Sequence, residues 1–357
     1  MKIVFSYNKT GYEAEFWARE ISAASNGEFT FIPFNHDPYL DVNRYLRAQL
    51  LDNVYFARNV GLQRMYADME ATVKRHGADA LLVMCCPPYH PDYLRRLPIY
   101  KALWIADGPM SAYDRDFAYQ HAYDHILYHS PAYSRDMDMG EKLAYLGARR
   151  ADLCPLALFD VGYDPTQTEA TLFTHERDID ILFIGAMHIN KMPMLAKVKR
   201  AFGRRCRIHG VTSLKRNLYF NAKFGFPGWV RPVGFDEYVG LYQRTKIGFN
   251  VHNRGEYTVG GYRMFELPAN GVMQICDGGE HLNAFFEVGK EVVGYQYADD
   301  LIDKLGYYLK HDDERRQIAH AGFQRVTRTH RFAQRMHEVG TLLKQGLSAT
   351  GSRRRVQ

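Results

Sequence analysis

Apolar and polar positions along this chain alternate in two repeating series. A strand-like run at residues 3–7 leads into a helical periodicity over 13–24 and then a second strand-like run over 29–33. A long helical pattern spans about 42–75, and the runs at 80–84, 102–106, 125–129 and 142–146 read as further strands. Strands alternating with helices are the mark of βαβ units on a parallel sheet, so this half predicts one Rossmann-like domain.

The second series opens at Asp180-Ile-Leu-Phe-Ile-Gly185, after a polar, turn-rich stretch. It predicts helices near 193–202, 235–243, 262–269, 282–286 and 299–310, alternating with strands at 206–209, 247–251, 272–276 and 291–295. The expected fold class is therefore α/β, with two doubly wound domains facing across a cleft. The boundaries are a first domain over 1–158, a linker over 159–177, a second domain over 178–335, and a return helix with a disordered basic tail over 336–357. That helix is expected to brace the first domain. Ligands of such sheets bind at the carboxyl ends of the strands, so function should sit on the loops there.

Length and composition narrow the class. A chain of 357 residues exceeds what one core usually organises, which suits two domains. The strand-like run after Met1 leaves no room for a signal peptide, and no apolar stretch approaches the ~20 residues of a membrane span, so a soluble, cytoplasmic protein is expected. Five cysteines without regular spacing form neither a disulfide framework nor a zinc motif, and Cys85-Cys86 reads as strand-end packing. The net charge of +6 suits anionic partners: nucleotide diphosphates, acidic polymers, nucleic acid or a membrane surface. Aromatic residues make up 14%, a surplus that sugar or base stacking could use.

Candidate chemistry is densest between residues 246 and 271. A buried strand delivers Asn250 and His252 at its end; a loop containing Tyr257, Gly260, Gly261 and Tyr262 then leads into a helix that places Arg263 and Glu266 on one face. Free N–H groups at a helix start, backed by an arginine, suit a diphosphate, and Glu266 can accept hydrogen bonds from sugar hydroxyls. The plainer alternative is an Arg–Glu surface pair. The Asp178-x-Asp180 and Asp136-x-Asp138 pairs resemble a metal-binding motif but read as solvated strand edges. No dinucleotide fingerprint, Walker loop or nucleophile elbow is present.

The constellation Arg263-Met-Phe-Glu266-Leu-Pro-Ala-Asn-Gly, with Phe285-Phe-Glu-Val-Gly289 and the helix 314–322, resembles the CgeB-like, spore-maturation-type glycosyltransferases over roughly residues 178–335. The resemblance implies the GT-B fold and a transferase that takes a nucleotide sugar, a UDP-sugar first, as substrate with no cofactor; the solvated reading of the two Asp-x-Asp pairs adds the expectation of no essential metal. It implies that Glu266 opens a Glu-x7-Glu motif whose second place falls on Gln274, an amide where the family has a carboxylate near the ribose. It also implies a Gly-rich loop at Gly185 with Lys191 on the diphosphate, supported by His188, and a backbone contact to base or ribose at His209-Gly210.

Catalytic roles fall on Glu266, Arg263 and Asp107, the last with His129 on the acceptor side. A saccharide or cell-surface acceptor is favoured. The basic and aromatic segment 215–231 and the Arg353-Arg354-Arg355 tail admit DNA as acceptor, and peripheral membrane contact is compatible with the charge. The rival classes are a non-catalytic nucleotide-sugar or nucleic-acid-binding scaffold and a GT-B-fold sugar epimerase.

Overall fold

The computed structural model describes residues 1–39, 59–84, 88–106, 117–134, 136–234, 237–252 and 259–354. The chain divides into two compact units, one formed by Met1–Leu156 with Phe332–Gln357 and the other by Ala157–Arg331.

In the first unit, β1 (Lys2–Tyr7), α1 (Gly11–Ala23), β2 (Thr30–Asn35), α2 (Val60–His76), β3 (Ala80–Met84), α3 (Pro91–Arg96), β4 (Tyr100–Ile105) and β5 (His125–Tyr128) follow one another. A short antiparallel pair, β6 (Ala132–Ser134) and β7 (Met137–Asp138), precedes α4 (Met139–Tyr145) and β8 (Ala151–Leu153). The sheet is parallel throughout, in the order β2-β1-β3-β4-β5-β8. Its strands are near-continuous apolar runs because helices cover both faces, and β3 is buried at every position. Of residues 142–146, expected as a strand, 142–145 belong to α4 and Leu146 caps it: the Asp138 carboxylate accepts from the Gly140 and Glu141 N–H groups and starts a helix there. The edge strand comes one turn later, as β8.

The second unit runs α5 (Glu169–Thr174), β9 (Ile179–Ile184), α6 (Met192–Phe202), β10 (Cys206–His209), α7 (Leu214–Phe224), α8 (Tyr238–Gln243), β11 (Thr245–Asn250), α9 (Arg263–Ala269), β12 (Met273–Asp277), β13 (Val293–Tyr295), α10 (Ala298–Tyr308) and α11 (Asp312–Thr329). Its parallel sheet has the order β10-β9-β11-β12-β13. The stretch expected as a linker belongs to this unit. Thr168 caps α5, and the Arg177 guanidinium donates to the carbonyls of Leu172, Tyr242, Thr245 and Asn270, which ties the segment to the amino ends of the strands. The helix expected at 282–286 is instead a 3-10 turn over Gly279–Ala284.

The chain then returns to the first unit as α12 (Phe332–Arg354), whose Phe332 ring lies 6.5 Å from Trp17. A Cβ at Gly346 would stand 2.1 Å from the Tyr100 hydroxyl, so only glycine lets the helix lie this close to β4. The helix continues to Arg354, through residues expected to form a disordered tail. Among the described residues no helix is long and apolar enough to cross a membrane.

Candidate functional site

In strand order the second sheet reads 2-1-3-4-5, so its topological switch point lies between β9 and β11. Two loops leave the carboxyl ends of those strands side by side, and this is where a doubly wound sheet binds its ligand. The loop after β9 is pinned to the end of β10 by the Gly185 N–H, which donates to the His209 carbonyl at 3.1 Å. A Cβ at Gly210 would fall 2.2 Å from the Gly185 carbonyl oxygen, so the two strand ends can approach only because residue 210 is glycine.

Lys191 closes the β9 loop in a 3-10 turn just before α6 and is only 7% exposed. Its ammonium makes no hydrogen bond or ion pair among the described residues. Burial pulls its pKa down to about 8, with Arg263 pushing the same way and Asp277 opposing. An unpartnered buried cation is costly, and an anion would remove the cost. His188, exposed on the same loop, is also held below the usual histidine range, by partial desolvation and then by Lys191 and Arg216.

On the opposite side of the switch point, the His252 N–H donates to Asp277 Oδ2 at 2.8 Å, and His252 Nδ1 sits 2.6 Å from Asp277 Oδ1. The carboxylate thus fixes the imidazole with its proton on Nδ1. His252, Cys276 and Asp277 bring ligand-type atoms within 4.8 Å of one another. They fit a metal poorly, because burial pushes the Cys276 thiol well up and the carboxylate is already committed to His252. Asn250 lies deeper, its amide reaching the Cys276 sulfur at 3.9 Å and its carbonyl accepting from Tyr295 at 2.8 Å. It supports the strand end and is itself buried.

Arg263 and Glu266 lie one turn apart on α9, with Nη1 and Oε2 3.3 Å apart. The buried Tyr242 joins them, accepting from Arg263 at 2.6 Å and donating to Glu266 at 3.3 Å, while the Arg263 guanidinium lies over the Tyr238 ring. Burial raises the Glu266 carboxyl pKa, with Arg263 and Tyr242 offsetting the shift. The helix has only seven residues, with Pro268 inside it, so charged side chains rather than a long helix dipole dominate here. Gly261 and Tyr262 lead into it, the Tyr262 ring 5.3 Å from Phe159.

These positions bring Gly185, Lys191, His209, Gly210, His252, Gly261, Arg263 and Glu266 to one end of the second sheet. Gln274 does not join them. It is the second residue of β12, opposite Gly248, 1% exposed, with neither amide atom hydrogen-bonded among the described residues. Counted the other way, with Glu266 as the second member of the spaced pair, the first place is Thr258. That residue, Tyr257 and Asp107 lie outside the described residues. His129 is buried in the first unit, its Nδ1 3.1 Å from the Ile105 carbonyl. Asp178 pairs with Arg244, and Asp180 with Lys246 and Arg205, at the amino end of β9, away from the switch point. Sequence reading missed Tyr238, Tyr242 and Asp277; the two tyrosines, four apart on a helix, were the available signal.

Two parallel-sheet α/β units of this kind, matched over nearly the whole chain by solved structures, give the chain a GT-B-type fold. Residues 191–340 are similar to the family described as glycosyl transferase-like. No curated protein sequence matches the chain. Among solved structures it is similar to sucrose-phosphate synthase from Thermosynechococcus elongatus, at 12% identity over 98% of this chain and 99% of that one, with a TM-score of 0.64. It is similar to Anabaena HepE in complex with UDP-glucose, at 10% identity over 99% of each chain and a TM-score of 0.61. It also resembles the UDP-GlcNAc 2-epimerase from Neisseria meningitidis bound to UDP-GlcNAc, at 12% identity over 96% and 100% of the two chains, with a TM-score of 0.50. At these identities the likeness is one of fold.

Proposed function

We propose that this chain is a glycosyltransferase of the CgeB-like branch that takes a nucleotide sugar, a UDP-sugar first, in the second unit and transfers the sugar to a hydroxyl of a saccharide or cell-surface acceptor. The observation that carries the reading is the unpartnered, buried Lys191 ammonium at the switch point, sharing its surroundings with Arg263. Two cations match the two charges on the diphosphate of a nucleotide sugar. Similarity to the glycosyl transferase-like family and a fold shared with a protein solved with UDP-glucose support the same reading.

The chemistry follows from charge. As the glycosidic bond ionises, negative charge grows on the departing diphosphate, and cations already in place stabilise it without reorganisation. Glu266, held by Arg263 and Tyr242, accepts hydrogen bonds from a hydroxyl pair on the ribose or the sugar. His252, fixed by Asp277 through its N–H and Nδ1, stands at the end of the neighbouring strand. With both cations supplied by the chain, transfer needs no metal, and retention of configuration is the outcome the resemblance implies.

Calorimetric titration with UDP, GDP, ADP, dTDP and CMP tests the donor site, followed by assay of free nucleotide release with and without saccharide acceptors. The reading requires selective binding of one nucleotide, lost in Lys191→Ala, and release that accelerates with acceptor. Binding without acceptor-dependent release would identify an epimerase or a binding scaffold instead.

A further inference from the structure

Between Asp180 and Asp236 the sequence contains no carboxylate and eleven lysines and arginines, against a net charge of +6 for the whole chain. At the centre of this stretch is α7, whose inner side is set by the buried Asn217 and Phe220. At 100° per residue the opposite side presents Leu214, Lys215, Leu218, Tyr219, Ala222 and Lys223, all exposed. Leu214 is 65% and Leu218 54% exposed. Such a helix inverts the usual pattern, with large aliphatic side chains facing water among lysines.

The loop after α7 is held against the same helix. Asn217 both donates to the Val230 carbonyl and accepts from its N–H, and Asn221 donates to the Gly228 carbonyl, so the segment that carries Trp229 is tied to the helix. Val230 turns inward while Trp229 stays 51% exposed. Val211, just before the helix, is exposed as well. Lys215 and Lys223 form no ion pair among the described residues. Exposed aliphatic side chains and uncompensated lysines on one side of a helix, with an exposed tryptophan in the loop tied to it, are the composition of a segment that lies in a lipid interface.

We infer that the outer face of α7, with Val211 and Trp229, docks this protein onto an anionic membrane surface. The lysines meet lipid phosphates, and the leucines and tryptophan enter the boundary with the acyl chains. A nucleic acid would satisfy the lysines but offers nothing to the exposed leucines. A second copy would set lysine against lysine across a symmetric contact. Arg216 donates to the Met187 carbonyl at 2.9 Å, so the docked helix is joined to the loop that carries Lys191.

The test uses the full chain and vesicles of phosphatidylcholine with an equal part of phosphatidylglycerol, with pure phosphatidylcholine as control. Trp17 and Trp104 are buried, so Trp229 is the reporter among the three tryptophans. Its emission should shift to the blue on mixing with the anionic vesicles alone, and the protein should co-sediment with them. The double variants Leu214→Ser with Leu218→Ser, and Lys215→Glu with Lys223→Glu, should each lower partition about tenfold or more while melting as the unaltered protein does. No partition into anionic vesicles overturns the inference, as does partition unchanged in both variants. Duplex DNA binding that survives the leucine changes and exceeds vesicle binding overturns it in favour of a nucleic acid partner.

Discussion

The Arg263 guanidinium and the Tyr242 hydroxyl meet at 2.6 Å, across two helices that the chain reaches twenty residues apart, and the same hydroxyl turns to Glu266. Removing this hydroxyl leaves both charged groups short of a partner inside the fold. Tyr242→Phe should therefore destabilise the protein by about 1–3 kcal/mol and weaken nucleotide binding, because Arg263 and Glu266 lose their common anchor. Chemical denaturation read together with calorimetric titration checks both parts. Loss of stability with unchanged affinity would place the hydroxyl outside donor binding.

Lys191→Met should separate affinity from stability in the opposite direction. An ammonium buried without a partner costs stability, so the methionine variant should melt at or above the temperature of the unaltered chain. The same variant should lose roughly tenfold or more in affinity for the nucleotide diphosphate, the scale of a charge-assisted contact. Thermal melting in the presence and absence of nucleotide measures both quantities.

The lowered lysine pKa also sets a pH window. Lys191 is depressed from 10.5 to about 8, so between those values the unfolded chain holds a proton that the folded chain has released. Its contribution to stability is therefore least favourable below about pH 8 and improves as pH rises toward 10.5. Nucleotide binding should run the other way, weakening as pH passes through about 8 and the amine loses its charge. Lys191→Arg, which stays protonated, should flatten that decline in a titration series.

Gln274→Met tests the place of the second member of the spaced pair. With the amide buried and unpaired among the described residues, an apolar side chain of similar size should leave nucleotide affinity unchanged and stability equal or higher. A loss of affinity would return this residue to the donor site.

Gly210→Ala should cost about 1–3 kcal/mol, since the added methyl group collides with the Gly185 carbonyl and backbone must move. Because the displaced loop carries Lys191, affinity for nucleotide should fall with stability, unlike the lysine variant. Denaturant midpoints and titrations on the two variants distinguish the cases.

The period of the apolar positions was enough to determine that the chain is α/β and that it has two doubly wound halves, with loops at the carboxyl ends of the strands at 179–184 and 245–250. Runs of Ile, Leu, Val and Phe buried on both faces have one stable arrangement, a parallel sheet between helices, and the residues of each run are contiguous. Lys191, Arg263 and Glu266 were legible as candidates for a similar reason: each stands next to a strand end or a glycine turn that marks it. What the sequence alone could not decide were relationships between residues distant in the chain. Tyr242 is a core tyrosine by composition and joins Arg263 to Glu266 only when α8 packs beside α9. Gln274 has the spacing of a ligand residue, yet the register of β12 against β11 turns it into the interior. Residues 142–146 are apolar enough for a strand, but the Asp138 cap commits 142–145 to a helix. Periodicity is set by neighbours in sequence, whereas burial and hydrogen-bond partners are set by neighbours in space, and those come only with the tertiary fold.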